Sequence, residues 1–233
     1  MASAIIHLAI AKELEKEFNI KNKKDYYLGS IAPDIAKQIG ETKDKSHFII
    51  NTDKDIPNLD IYTTKYKKFK KNDFELGYFI HLYTDKLWYE KFMPKIAEGT
   101  SIKLLDGTII NAKEEQITNM IYSDYTNINI QIIENHNMDL SLFYEEFQKP
   151  KTIIDEIPID KLDILINKIK NLQKKYIRSG YDSSIKSELD KLNEELFNIP
   201  IYKIYLDNLE VVNQKLDYVK DSLNDYFYKL FNE

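Results

Sequence analysis

The sequence feature that constrains the fold most is an apolar helical face between residues 74 and 92 that also carries two polar side chains. His81 and Asp85 lie on this face, one turn and roughly 6 Å apart along the axis. An imidazole and a carboxylate that face a protein interior need partners, because burying them unpaired costs free energy. They therefore either satisfy each other or share a cation. The remaining members of the face recur at spacings of three and four residues, the periodicity of an α-helix: Phe74, Tyr78, Trp88 and Phe92.

This central helix has a recognisable start and one unusual residue. Asn72 or Asp73 can cap its first turn through a side-chain oxygen. Gly77 lies one turn before His81 and costs about 1 kcal/mol of helix propensity. We expect this glycine to let another backbone segment approach closely.

Composition narrows the class of protein. The chain has 233 residues, enough for one sizeable core, and it has no cysteine, which excludes disulfides, thiolate metal sites and a cysteine nucleophile. Its formal net charge of −5 does not indicate general electrostatic binding to nucleic acid or to anionic lipid. No apolar run is long enough for a transmembrane segment. The first residues lack the pattern of a signal peptide, so we expect a cytoplasmic protein.

The rest of the chain predicts an all-α fold with one small β-hairpin near 101–111, where Asp106-Gly107 marks the turn. We expect a single helical domain over 1–233, with a metal-site half at about 1–147 and a helical C-terminal part at about 158–233. The apolar stripe of the last segment packs on the core or forms a homodimer through the C-terminal helix. Helical spacing predicts helices at 3–18, 59–69, 114–135, 159–177, 183–197 and 201–231, and a short one starting at Pro33.

Five side chains form a candidate metal site. His7, His47 and His81 each stand beside apolar sequence within the first 81 residues, and Asp34 and Asp85 add carboxylates. A nitrogen and oxygen set without sulfur suits zinc, although manganese and iron remain alternatives. Each residue alone also has a structural explanation: His7 as a core histidine, Asp34 as a carboxylate that favours a helix dipole.

Four segments resemble the bacterial zinc-dependent phospholipase C family, which is related to the single-strand-specific zinc nucleases. The resemblance covers roughly the first 90 residues of the chain. It implies an all-helical, phospholipase C-like bundle with a zinc cluster in a cleft. The matching segments are Ile5-Ile6-His7-Leu8-Ala9, Gly29-Ser30-Ile31-Ala32-Pro33-Asp34-Ile35, Ser46-His47-Phe48 and Gly77-Tyr78-Phe79-Ile80-His81-Leu82-Tyr83-Thr84-Asp85.

The resemblance also implies roles for the five residues. One metal would take Asp34, His47, His81 and Asp85. A second would take His7, share Asp85 and use the amino terminus of the mature chain. Asp34 is also the candidate catalytic residue, because the matching aspartate positions or deprotonates the attacking water.

The chain departs from the family at three points. It begins Met-Ala-Ser rather than with a tryptophan, so a terminal amine would have to come from Ala2 after removal of Met1. The histidine expected after the central motif is missing, and His136 is followed four residues on by Leu140 rather than a glutamate. No β-sandwich membrane-binding module is present in the sequence. We therefore expect one zinc ion, with two ions as the alternative, and we do not expect a third.

These observations lead to one main hypothesis and two alternatives. The main hypothesis is a zinc-dependent hydrolase of phosphoesters that uses a metal-activated water on a small phosphoester or a phospholipid headgroup. One alternative is a non-catalytic metal-binding or helical interaction protein. The other is a nuclease or nucleotidase of the same superfamily. An HD-type phosphohydrolase is disfavoured, because the chain contains no His-Asp dipeptide.

Overall fold

The computed structural model describes residues 2–50, 55–135, 138–176, 197 and 199–214. These residues form a mostly helical structure with a small antiparallel sheet, which confirms the predicted fold class at this level. The helices are α1 (Ala4–Leu14), α2 (Lys23–Gly29), α3 (Ile35–Gln38), α4 (Leu59–Lys65), α5 (Asp73–Leu87), α6 (Glu114–Asn135), α7 (Asp163–Tyr176) and α8 (Ile201–Gln214). The strands are β1 (Ala97–Glu98), β2 (Ser101–Lys103) and β3 (Ile109–Asn111).

Hydrogen bonds to N-cap side chains confirm two of the predicted helix starts. Ser3 accepts a hydrogen bond from the amide of Ile6, and Asn72 accepts hydrogen bonds from the amides of Phe74 and Glu75. These contacts satisfy amide groups that a helix leaves unpaired in its first turn. α6 has the predicted bounds, whereas α1 gives way to a 3-10 turn after Leu14, earlier than predicted.

Two glycines bring α2 and α5 into direct backbone contact. A Cβ atom on Gly77 would lie 2.0 Å from the carbonyl oxygen of Tyr26, and one on Gly29 would lie 2.1 Å from the carbonyl oxygen of Phe74. No side chain fits at either distance. The prediction that Gly77 permits a close approach is confirmed, and the partner is α2.

α5 runs through the middle of the apolar core. Its buried residues contact α1, α2 and α4, while α6 packs against α1, α7 and α8. One apolar cluster extends from Ala2 at the start of α1 to Tyr205 in α8. The helix that carries His81 and Asp85 is therefore enclosed by α1, α2 and α4, and α1 links it to α6.

The predicted hairpin is present, but it belongs to a sheet of three strands. β2 pairs antiparallel with β3, and Gly107 adopts the left-handed conformation in the connecting turn, with φ of 88°. β1 adds a third strand through two residue pairs, which the prediction of a two-stranded ribbon missed. A two-residue strand is too short to show the alternation that identifies strands in a sequence.

The C-terminal part of the described chain is tied to α6 by a buried carboxylate. Asp124 accepts hydrogen bonds from the amides of Phe197 at 2.6 Å and Ile199 at 2.5 Å, directly before α8. The predicted helix at 183–197 falls, except for its last residue, outside the described residues, as do residues 215–231 of the proposed dimer stripe.

Among the helices that the structure describes, none combines the length and apolar content that crossing a bilayer requires.

Candidate metal centre

The structure brings all five predicted site residues together in the core. His7 comes from the middle of α1, Asp34 from the 3-10 turn before α3, and His47 from the loop between α3 and α4. His81 and Asp85 come from successive turns of α5. Asp85 is central: its Oδ1 lies 3.3 Å from His7 Nε2, and its Oδ2 lies 3.6 Å from His47 Nε2 and 3.8 Å from His81 Nε2. Asp34 Oδ1 lies 3.8 Å from His47 Nε2.

His47 reaches the cluster because the next residue reverses the chain. Phe48 adopts a left-handed conformation with φ of 56°, which is uncommon for a residue other than glycine. Its ring packs edge-on against the rings of Tyr62, Tyr66 and Tyr78. The hydroxyl of Tyr78 also donates a hydrogen bond to the carbonyl of Ser46. This aromatic group holds the loop so that His47 faces the other ligands.

Four of the five side chains are sealed from solvent. The side chains of His7 and His81 are 0% exposed and those of His47 and Asp85 are 1% exposed, whereas that of Asp34 is 15% exposed. Asp34 is thus the one member of this cluster that borders solvent.

The hydrogen bonds of His47 and His81 limit which ring nitrogens carry protons. His81 Nδ1 lies 2.8 Å from the carbonyl oxygen of Ser30, which can only accept, so Nδ1 is the donor and Nε2 of the neutral ring is unprotonated. His47 Nδ1 lies 2.9 Å from the hydroxyl of Ser46, which also lies 3.1 Å from the carbonyl oxygen of Lys43. A hydroxyl that donates to Lys43 makes His47 Nδ1 a donor and leaves its Nε2 unprotonated, whereas one that donates to Nδ1 leaves His47 Nε2 to donate to His81 Nε2, 3.1 Å away.

The environment favours neutral imidazoles at His47 and His81 and an ionised carboxylate at Asp85. Burial lowers the pKa of His47 and holds the pKa of His81 well below its usual range, where the neighbouring His7 lowers it further. Burial alone would raise the pKa of Asp85, but the interactions with His7 and His81 together outweigh it, and the pKa falls well below its usual range. The backbone amide of Ala2 also donates a hydrogen bond to Asp85 Oδ1, at 3.2 Å.

Several buried polar atoms of the cluster have no hydrogen-bond partner among the described residues: both ring nitrogens of His7, Asp34 Oδ1 and Asp85 Oδ2. Such atoms are costly to bury unless something else binds them. The His7 ring stacks on the His81 ring with centroids 3.8 Å apart, an arrangement that leaves its nitrogens available.

The donor set fits a metal ion. Ligand atoms lie within 4.8 Å of one another in two overlapping groups, His47–His81–Asp85 and His7–Asp34–His81. A tetrahedral zinc ion with Zn–N distances of about 2.0–2.1 Å holds two nitrogens roughly 3.3 Å apart. The observed separation of 3.1 Å between the two Nε2 atoms is close to that value. These buried histidine and aspartate groups could therefore hold a metal ion.

Two polar groups that orient the imidazoles were not identified in the sequence. Ser46 stands next to His47, so its hydroxyl was a candidate by proximity alone. The carbonyl of Ser30 is a backbone group, and only the close crossing of α2 and α5 brings it to His81. Second partners of this kind fix the orientation of histidine ligands in metal sites.

Comparison with known proteins gives no relative for this chain: no family model, no curated protein and no solved structure matches it. A functional assignment therefore depends on the chemistry of the site itself.

Proposed function

We propose that this protein is a zinc-dependent hydrolase of phosphoesters, similar in its chemistry to the phospholipase C family. The observation that carries the proposal is the convergence of three buried imidazoles on the carboxylate of Asp85, with the Nε2 atoms of His47 and His81 3.1 Å apart. Both ring nitrogens of His7 and Asp85 Oδ2 are buried without a hydrogen-bond partner among the described residues, and a cation would bind such atoms. The resemblance of four sequence segments to the family, which is carried by the same five residues, points to the same chemistry.

The ligand roles follow from burial and reach. His47, His81 and Asp85 would hold the ion, with His7 and Asp34 available to complete its coordination or to hold a second ion that shares His81 or Asp85. The two carboxylates offset the ion's double positive charge in an environment with little solvent. When bound, zinc acts as a Lewis acid for a phosphoryl oxygen and lowers the pKa of water to near neutrality.

Asp34 has the position required of a general base. Its side chain is 15% exposed, whereas its Oδ1 is buried without a hydrogen-bond partner among the described residues. In this proposal Oδ1 contacts the ion, and the other carboxylate oxygen accepts the proton of an attacking water molecule. Asp85 cannot take this role, because its side chain is sealed and committed to the histidines. A positioned general base contributes roughly 10²–10⁴ in rate.

The partial exposure of Asp34 favours catalysis over a purely structural site. Structural zinc sites have four protein ligands and no open position, whereas catalytic sites keep one position accessible. A nuclease would use the same chemistry, but the net charge of −5 disfavours a long polyanionic substrate. We therefore propose a small phosphoester or a phospholipid headgroup as the substrate.

The test is hydrolysis by protein of known zinc content. Metal-free protein is reconstituted with zinc and assayed on p-nitrophenyl phosphate, bis(p-nitrophenyl) phosphate and p-nitrophenylphosphorylcholine, and we expect turnover in proportion to bound zinc. Asp34→Asn should lose about 10²-fold or more of kcat at saturating zinc. The exposed Asp106→Asn serves as the matched control and should not change the rate. Stoichiometric zinc without hydrolysis of any ester would favour the non-catalytic alternative.

A further inference from the structure

A cavity of about 210 Å³ lies beside Asp34, the exposed member of the metal centre. Its walls come from the start of α1, from Asp34 and α3, and from the facing sides of α6 and α7. Ser3 donates a hydrogen bond to the side-chain oxygen of Asn129 at 2.6 Å, which fixes the wall between α1 and α6. Asp34 is the one candidate metal ligand that lines the cavity. Ala2 also lines it, and the backbone amide of Ala2 donates a hydrogen bond to Asp85.

Two lysines give this cavity a positive charge. Lys37 lies one helical turn beyond Asp34, and Lys168 faces it from α7. Asp34 is the only carboxylate among the lining residues, and it also lies 3.8 Å from His47. Once a cation neutralises Asp34, the cavity carries two uncompensated ammonium groups.

The two ammonium groups differ in how they are held. Lys37 Nζ donates a hydrogen bond to the hydroxyl of Tyr122 at 3.0 Å and lies 4.5 Å from the centroid of its ring. One tyrosine therefore positions this lysine and leaves two of its three N–H groups for a ligand. Lys168 is exposed at the rim of the cavity and makes no hydrogen bond or ion pair within the described part of the chain. Partial loss of hydration lowers its pKa, while Asp34 raises it and Lys37 lowers it.

We propose that Lys37 and Lys168 form a phosphate-binding pocket for a small phosphomonoester, whose dianion matches the two ammonium groups beside Asp34. This proposal deepens the proposed function and rests on it in one respect, the cation that neutralises Asp34. A monoester carries close to two negative charges near neutral pH, whereas a diester carries one. The cavity is smaller than the 300–1,000 Å³ typical of sites for drug-sized ligands, and its size matches a phosphate with a small substituent.

The test uses ligands that cannot be hydrolysed, so that it does not depend on turnover. Binding of phenylphosphonate and of its monomethyl ester to zinc-loaded protein is measured by calorimetry at about pH 8, well above the second ionisation of a phosphate-type group at about pH 6. The first ligand is a dianion and the second a monoanion. We expect the wild type to prefer the dianion, and Lys37→Ala and Lys168→Ala each to weaken its binding by about tenfold or more. The control is Lys161→Ala, an exposed lysine just before α7 that does not line the cavity.

The outcomes separate this pocket from the proposed function. If the protein hydrolyses no ester but its phosphonate binding depends on both lysines, the pocket is supported and the hydrolase proposal fails. If it hydrolyses esters while both lysine variants bind phenylphosphonate as the wild type does, the pocket is rejected and the hydrolase remains. Absence of measurable binding to the wild type, equal affinity for the two ligands, or an equal loss in Lys161→Ala also rejects the pocket.

Discussion

His47 and His81 bring their Nε2 atoms to within 3.1 Å of each other, because each ring turns its Nδ1 to the opposite side, toward the Ser46 hydroxyl and the Ser30 carbonyl. Beside this pair, Asp85 Oδ2 is buried without a hydrogen-bond partner among the described residues. A cation would supply that missing partner. Metal binding should therefore stabilise the folded protein, as any ligand that binds only the native state does.

Replacing His81 by alanine should abolish tight zinc binding. His81 belongs to both candidate ligand groups, so its loss disrupts each of them. We expect the wild type to contain zinc by elemental analysis and to gain thermal stability with added zinc, and His81→Ala to show neither. Tyr144→Ala, on an exposed residue, should bind zinc normally. Full zinc content in His81→Ala would contradict the assignment of the centre.

Ser46→Ala should weaken zinc binding without removing a ligand. The hydroxyl of Ser46 holds the His47 ring at Nδ1, which turns Nε2 toward the other ligands, and alanine cannot do so. Loss of such a partner typically costs about 10- to 100-fold in metal affinity. Competition with a fluorescent zinc chelator measures the change, and Ser101→Ala on β2 is the control. An unchanged affinity would show that the Ser46 contact does not orient His47.

The metal-free protein should lose stability as the pH falls below about 6.5. Burial lowers the pKa of His47 and His81 in the folded state despite the nearby Asp34 and Asp85, whereas the unfolded chain keeps values near 6.5. Below that pH the unfolded state binds more protons, so acid favours unfolding. Urea unfolding in EDTA between about pH 7.5 and pH 5 measures this slope. The slope should diminish in a His47→Gln/His81→Gln variant, and stability that rises toward pH 5 would contradict the prediction.

Gly77→Ala should destabilise the protein, although alanine is the better helix former. In an open helix the change would stabilise by about 1 kcal/mol. Here the new Cβ would lie 2.0 Å from the Tyr26 carbonyl and 2.9 Å from the Ser30 amide. We expect a loss of about 3 kcal/mol or more in the free energy of unfolding, and weaker zinc binding as the Ser30 contact shifts.

The control for Gly77 is Gly40→Ala. Gly40 has φ of 78° and open space around the added Cβ, so this variant reports only the conformational cost of alanine, roughly 1–2 kcal/mol. Gly77→Ala should cost more than this and should also affect zinc. An equal loss in the free energy of unfolding for the two variants would mean that α2 and α5 can move apart without an energetic penalty.

Asp124→Ala should loosen α8 from α6 and leave zinc binding unchanged. The carboxylate accepts hydrogen bonds from the amides of Phe197 and Ile199. Leaving these buried amides without an acceptor lowers the free energy of unfolding by about 1–3 kcal/mol. Hydrogen exchange of the Ile199 amide should accelerate. The neighbouring Asn127→Ala serves as the control. Unchanged exchange would show that other contacts hold this segment.

Periodicity in the sequence predicted α5 and α6 well, because both helices bury an apolar stripe of regular spacing. The five site residues were also identified, because histidines beside apolar sequence are uncommon enough to stand out. Their convergence could not be derived from spacing alone, since His7, Asp34 and His47 come from three separate elements. The lysines of the cavity were missed for a related reason: Lys37 and Lys168 are 131 residues apart, and only the contact of α3 with α7 brings them together.

The left-handed backbone at Phe48 means that the five ligand residues alone do not determine the geometry of this centre. A left-handed conformation at a bulky residue costs of order 1–3 kcal/mol, and the rings of Tyr62, Tyr66 and Tyr78 offset that cost by enclosing the phenyl group. Transplanting the three histidines and two aspartates onto another helical scaffold would therefore leave the loop histidine pointing elsewhere, unless the aromatic residues were grafted with them.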